Sequence, residues 1–499
     1  MTIRHRLNHK TWLHILLPLL FFLVCNALIY SLDCFEFDPD EGINLIKAFL
    51  VNRGYLLYRD IWNDQPPLLT YILSISFSVF EPNVNFARSI ISLFSALLLW
   101  QNWLILYLLG GIECALIGSL LLIISPDYLK LSISVMVGLP CLCWALGAFL
   151  SILIWHLNHR NIWLIASAIL LSLSVSTKLF TLFLAPIIVA GILLERAGDR
   201  QRSWSKKLQP SLVWMATFSG CTLLLLVLLV GVDNIHLLTE SHTDARNNAA
   251  FAGLSLQDYI QTDYKVFLAG FGCWGVVTAY RRRQWEIFYF VAWLITFYFL
   301  LQQHRPVWYH QLLTIHIPAI ILAAYGMGEL LKIVRIRGLR YIFKQRAFII
   351  FLSVAIVSTI LLVGEQTKTT LRAIEYWRTS WGANVIPQNL EYQFLAEIKQ
   401  SELETDWIVT DSPIFAFRAD IPVPPSTAVL SRKQLETKNV TDAKVIDIVD
   451  RYQPQQVFLK RFEWSQLNEF LAQNYQLTKQ EREFRLYTNK VTEKSAKNR

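Results

Sequence analysis

Residues 33–73, DCFEFDPDEGINLIKAFLVNRGYLLYRDIWNDQPPLLTYIL, form the first polar segment of the chain and follow an apolar run, TWLHILLPLLFFLVCNALIYSL, at 11–32. That run is about 20 residues long, too long for the core of a signal peptide and the right length to span a bilayer. Extended to Glu81, the polar segment holds eight acidic residues. Asp38, Asp40 and Glu41 come directly after the exit of the first span, at the boundary between water and headgroups. Asp40 and Glu41 also open the apolar sequence GINLIKAFLV, where carboxylates favour the positive end of a helix. Capping and catalysis are compatible at such a position, and we read the segment as a candidate active-site loop.

The rest of the composition fits a membrane setting. Of 499 residues 54% are hydrophobic and only 17% charged, against roughly 25% charged in an ordinary soluble domain. Long apolar runs separated by short polar turns exclude an outer-membrane barrel, whose strands alternate over about 10 residues. The net charge of +9 sits mostly in short loops between apolar runs, where the positive-inside rule accounts for it; nucleic acid is not an expected partner. The seven cysteines lie almost entirely in apolar runs, so no disulfide framework is implied. Cys141 and Cys143 are read as small core side chains rather than metal ligands.

Arg4, Arg6 and Lys10 precede the first span, which puts the N-terminus in the cytoplasm and the acidic loop outside. Pro66 and Pro67 open a short apolar segment, read as a half-helix in the interface. Full spans follow at about 86–109, 112–125 and 137–155. The apolar run 162–194 is too long for one helix, so Lys178 marks an outer turn between two spans. Further spans are read at 211–232, 266–279, 287–301, after His310, and at 347–363. The expected fold is a polytopic α-helical membrane protein of about eleven spans. Asp40, Glu41, Lys178, Arg246, Arg305 and His310 all fall on the outer side, where they can meet in one cavity.

From residue 386 the pattern changes. Leu390, Phe394, Leu395 and Ile398 share one helical face, and Val445, Ile448, Val449 and Tyr452 another after a Thr441 cap. Segments starting at 407, 456 and 484 read as strands. We expect a small α/β domain outside the membrane over 386–489, after a membrane domain over 1–365 with its outer loop at 33–83. Residues 490–499 read as a flexible tail.

The motifs resemble the GT-C glycosyltransferases that use polyprenyl-phosphate sugars, the group containing protein O-mannosyltransferases and aminoarabinose transferases. The resemblance rests on the pair Asp40 and Glu41, on Gly54 and Tyr58, and on Asp64, Gln65, Pro66, Pro67 and Leu68. It continues through SVSTKLFTLFLAP around Lys178 and through HRPVWYH at 304–310. The sequence departs from the family pattern at Asp64-Gln65, where Glu-Lys is usual, and at Ile43, where an Arg is usual.

What the resemblance implies is an inverting transfer of a hexosyl or pentosyl group from a polyprenyl-phosphate donor to an acceptor hydroxyl on a glycan, lipid or protein. The reaction would run on the outer face of the inner (plasma) membrane, with Asp40 as general base and Glu41 beside it. Tyr58, Asp64, Gln65, Lys178, Arg246, His304, Arg305 and His310 are the expected substrate and donor-phosphate contacts. Because the loop is acidic, cations must enter the same cavity to hold a phosphate. Lys178 and Arg305 are expected to do so, with snorkelling to the interface the alternative for Lys178; Lys130, on the same side, is given no role. No cofactor is assigned, and a divalent metal is left open. The D-x-D spelled by Asp38-Pro39-Asp40 is not read as a nucleotide-sugar metal motif, since no nucleotide-binding domain surrounds it. The competing reading is a transporter or a silent scaffold for lipid-linked sugars; the sequence has no visible inverted repeat, which weighs against transport.

Overall fold

The computed structural model describes residues 13–30, 34–197, 204–248, 250, 255–257, 263–342, 360–361, 363–374, 390–400 and 407–490. The chain enters through α1 (Leu13–Tyr30). Three helices of the acidic loop and its return follow: α2 (Pro39–Asn52), α3 (Leu68–Val79) and α4 (Val84–Gly110). Next come α5 (Ile112–Ile123), α6 (Pro126–Leu131), α7 (Gly138–Asn158), α8 (Asn161–Thr177), α9 (Ala185–Ala197) and α10 (Trp204–Leu229). The helical part closes with α11 (Leu237–Asn247), α12 (Asp263–Arg282), α13 (Phe288–Gln303) and α14 (Leu313–Ile342).

Five stretches in these helices are long and apolar enough to cross a membrane: Val84–Gly110, Gly138–Asn158, Leu208–Leu229, Trp285–Gln303 and Leu313–Arg335. Shorter apolar helices cover 14–24, 112–123, 161–177 and 179–194, so the molecule is a polytopic helical membrane protein. The expected span at 347–363 lies almost wholly outside the described residues. α8 ends at Lys178, whose backbone is extended, and a 3-10 turn over Leu179–Leu184 leads into α9. The break therefore falls where the single charge interrupts the apolar run.

The polar part from 390 contains α15 (Leu390–Gln400), β1 (Ile408–Thr410), α16 (Pro413–Ala419), α17 (Arg432–Glu436), α18 (Asp442–Tyr452), β2 (Gln456–Leu459), α19 (Ser465–Asn474), β3 (Tyr475–Glu481) and β4 (Phe484–Asn489). Its sheet has the order β1-β2-β4-β3. β1 pairs parallel to β2, with Val409 opposite Val457, and β4 pairs antiparallel to both β2 and β3. Thr441 caps α18 through its side chain, as its position before the apolar face predicts. β3 is the strand the sequence reading missed. Its burial is confined almost to Tyr475, because it is an edge strand with few inward side chains.

Of three hydrophobic cores among the described residues, one lies within the C-terminal part around Val409, Val457 and Trp464, and the other two divide the molecule in an unexpected place. One is the helical bundle, built from residues such as Leu98, Trp103, Leu142, Trp155, Trp293 and Leu313. The other joins the acidic loop to the polar C-terminal part: Ile43, Ile46, Phe49, Leu73 and Phe77 pack with Ile408, Ile414, Phe415, Phe417 and Phe458. Phe35 lies 4.5 Å from Phe415 and Phe49 lies 5.7 Å from Phe417, centroid to centroid. Each such buried side chain is worth about 1.5–3 kcal/mol, so the loop and the C-terminal domain are held together as one unit. At Gly42 the two approach closely: a Cβ there would lie 2.7 Å from the Ile414 main-chain nitrogen.

Candidate active site

α2 starts slightly earlier than the Asp40-Glu41 opening read from the sequence. Asp38 is the N-cap, its Oδ1 accepting the Asp40 N–H at 3.0 Å, and Pro39 occupies the first turn. This cap places Asp40 and Glu41 side by side, but in opposite surroundings. Glu41 is fully buried and accepts four hydrogen bonds: from Arg88 Nε (2.9 Å) and Nη2 (2.7 Å), from the Phe37 N–H (3.0 Å) and from the Val135 N–H (3.2 Å). Burial alone would raise its pKa, but the Arg88 guanidinium and the two amides more than offset this and hold the carboxyl below the usual range. Arg88 also donates from Nη1 to the Cys34 carbonyl at 2.8 Å. Glu41 thus ties the loop to α4 and to the segment before α7. The sequence reading did not single out Arg88, which lies 47 positions away.

Asp40 has no hydrogen-bond or ion-pair partner for its side chain among the described residues. Burial, then the neighbouring Asp38 charge, push its carboxyl up to about 6, while Arg461 and Lys47 oppose this and Asp64 adds to it. A carboxylate titrating there and without a fixed partner has the properties of a general base.

The remaining loop residues shape the wall of the site. Gly54 and Tyr58 both adopt positive φ, 95° and 68°, in the turn that reverses the chain after α2. The Tyr58 hydroxyl donates to the Gln65 carbonyl at 2.7 Å, and Asn63 Nδ2 donates to the same oxygen at 2.6 Å. Lys47 donates to Asn63 Oδ1 at 3.1 Å. Asp64 is buried and forms an ion pair with Lys433 of α17. Tyr58 and the Gln65 carbonyl therefore brace the turn, and Asp64 anchors the C-terminal domain.

The cations come from the bundle. Tyr309 donates to Asp38 Oδ2 at 2.7 Å, and Lys130 lies 3.9 Å from the same oxygen and 4.3 Å from the Tyr309 ring centroid. Lys178 interacts electrostatically with Asp40, and His310 with Lys178, Lys130 and His304. His310 titrates well below the ordinary imidazole range, first because it is buried and then because Lys178, Lys130 and His304 surround it. His304 is 3.2 Å from Gln311 Nε2 and packs edge-on to Phe180.

Lys130, given no role from sequence, stands beside Asp38 and Tyr309. Arg305 is exposed and has no hydrogen-bond or ion-pair partner among the described residues. Arg246 lies on α11, and its side chain is outside the described residues. A signal for Lys130 existed in Ser125-Pro126-Asp127, a helix start, but only the fold shows that α6 brings it beside Asp38. Among the described residues no group of three or more His, Cys, Asp or Glu side chains is placed to hold a metal ion.

No protein-family model and no curated protein sequence matches the chain. Solved structures do resemble it. ArnT from Cupriavidus metallidurans bound to undecaprenyl phosphate aligns with a TM-score of 0.60 at 14% identity, covering 96% of this chain and 98% of that one. The Archaeoglobus fulgidus oligosaccharyltransferase in its apo form aligns with a TM-score of 0.56 at 12% identity, over 91% of this chain and 70% of that one. The oligosaccharyltransferase AglB from the same organism, in complex with an inhibitory peptide and a dolichol-phosphate, gives 0.55 at 13% identity, over 90% and 70%. At these coverages, the chain shares the fold of these solved structures.

Proposed function

We propose that the protein transfers a sugar from a polyprenyl-phosphate donor to an acceptor hydroxyl at the outer membrane surface, with inversion. The observation that carries this reading is the contrast at the start of α2. Glu41 is fully committed to Arg88 and two amides, whereas Asp40 is uncommitted and lies within electrostatic reach of a cationic group of side chains. The GT-C fold, and relatives of that fold that bind undecaprenyl phosphate or dolichol-phosphate, support the choice of donor.

In this mechanism the acceptor oxygen attacks the anomeric carbon on the face opposite the phosphate. The new C–O bond forms as the bond from that carbon to the phosphate oxygen breaks. Asp40 takes the acceptor proton, and polyprenyl phosphate leaves with the electron pair. Its additional negative charge develops beside Lys130 and Lys178, and neutral His310 can donate a hydrogen bond to it. General-base assistance of this kind is worth about 10² to 10⁴ in rate.

The test is release of free undecaprenyl phosphate from a panel of undecaprenyl-phosphate hexoses and pentoses by the purified full chain, with Asp40→Asn as the inactive reference. No turnover with any donor, or full turnover in the variant, overturns the reading. Sidedness is tested with Arg59→Cys, on the exposed tip of the loop, and Arg160→Cys, between α7 and α8. An impermeant thiol reagent added to intact cells should label the first and not the second; the reverse pattern would place the site on the wrong side for an outward-facing donor.

A further inference from the structure

We propose that Arg418 of the C-terminal domain is a positioning residue for transfer: it holds the main chain of the strap 34–37, and through it the start of α2, in the geometry that aims Asp40 at the acceptor. The proposal rests on the reading above and adds a group 383 positions away from the carbonyl it holds.

Residues 34–38 run up to α2 in no helix or strand, so their main-chain groups have no regular ladder to join. Cys34, Phe35, Glu36 and Phe37 are nevertheless buried, and buried carbonyls need donors. Arg418, in the last turn of α16, supplies them. Its Nε (3.2 Å) and Nη2 (2.8 Å) donate to the Phe35 carbonyl, and Nη2 also reaches the Cys34 carbonyl at 3.2 Å. Among the described residues no other donor bonds to the Phe35 carbonyl. Arg88 of α4 donates to the Cys34 carbonyl from Nη1 at 2.8 Å, so two arginines from distant parts of the chain meet on one oxygen. Each also lies over a ring of the strap: Arg418 is 4.8 Å from the Phe35 centroid and Arg88 4.6 Å from that of Phe37.

What the strap delivers is the cap of α2. Three residues past Phe35, Asp38 accepts the Asp40 N–H on Oδ1 at 3.0 Å and the Glu41 N–H on its main-chain carbonyl at 2.9 Å, while the Phe37 N–H donates to Glu41 Oε2 at 3.0 Å. The shared core holds the Phe35 ring against Phe415, but apolar contact is non-directional. The planar guanidinium is different, because its N–H groups point in fixed relative directions and so orient the peptide planes they bond. The effect of Arg418 on Asp40 passes along this main chain. A second polar link across the same seam, Arg53 with Asp420 at 3.4 Å, is exposed and lies at the far end of α2. It serves as the control for a seam contact that leaves the strap alone.

The experiment is hydrogen exchange of the full chain in lipid nanodiscs, read by mass spectrometry on a peptide covering 34–42, which contains the bonded amides of Phe37, Asp40 and Glu41. In Arg418→Gln we expect exchange there to be about tenfold faster, with peptides over 43–50 and 408–417 unchanged. The kcat of donor turnover should fall about tenfold, with KM for the donor within about twofold. Arg418→Lys, which keeps the charge and can serve one carbonyl, should recover part of both losses, and Arg53→Gln should alter neither quantity. Should Arg418→Gln fail to fold, Arg418→Lys must itself show the faster exchange. Unmoved exchange over 34–42 in the folded variant overturns the proposal, as does a normal kcat with a loosened strap. Faster exchange spread equally over 43–50 and 408–417 overturns it too, since Arg418 would then only dock the domain. Exchange needs no donor, so failure to turn over any lipid-linked sugar would remove the proposed function while the hold of Arg418 on the strap is still decided.

Discussion

The Tyr309 hydroxyl donates to Asp38 Oδ2 at 2.7 Å, while Oδ1 of the same carboxylate accepts the Asp40 N–H at 3.0 Å. One side chain thus couples the turn before α14 to the helix start that carries the candidate base, across 271 positions of sequence. Lys130 adds its charge to the same oxygen. Tyr309→Phe removes the hydroxyl donor and should lower turnover severalfold while costing about 1 kcal/mol of stability. Lys130→Gln and Lys178→Gln should both weaken donor binding, and Arg305→Gln should not; competition by undecaprenyl phosphate measures this. Equal effects at all three positions would mean that these cations serve general membrane electrostatics.

Asp40 gives the reaction its acid limb. A base must be ionised, and this carboxyl titrates near 6, so turnover should fall tenfold per unit as pH drops below that value. The sign for stability is opposite. A carboxyl raised from 3.8 to about 6 favours the folded chain at low pH and loses that contribution as pH rises through about 6. Near pH 7, Asp40→Asn should therefore be inactive and melt no lower than the wild type; a large drop in melting temperature would mark Asp40 as a structural residue instead.

Glu41 should behave in the opposite way to its neighbour. It and Arg88 are buried and paired by two hydrogen bonds, so Glu41→Gln or Arg88→Met leaves a buried charge uncompensated. About 3–5 kcal/mol of stability is expected to go. Thermal unfolding in detergent measures it, and a Glu41→Gln variant of normal stability that has merely lost activity would return Glu41 to the chemistry.

Glu36 supplies an alkaline limit. It is buried at the seam between the loop and the C-terminal domain, with Oε1 lacking a hydrogen-bond partner, and burial pushes its carboxyl up to about 8 against the pull of Lys460 and Arg461. The neutral acid is what the seam accommodates, so stability should be lost as pH rises through about 8. Glu36→Gln should flatten that decline in melting temperature. A decline of equal depth in the variant would assign it to another group.

The sequence by itself determined what depends on local pattern and on the cost of exposing polar groups to lipid. Apolar runs of spanning length, the break at Lys178 and the Thr441 cap are all legible because they are set by residues within one or two turns of each other. Tertiary structure decided which neighbouring carboxylate is free and which is tied, because the partners of Glu41, namely Arg88 and the Val135 amide, lie 47 and 94 positions away. It also decided that Lys130 stands beside Asp38 and that Arg305 is exposed. The shared core of Phe35, Phe49 and Phe77 with Phe415 and Phe417 was hidden in the sequence as well. An apolar face declares that it must be buried, but what buries it depends on which distant face has the complementary shape.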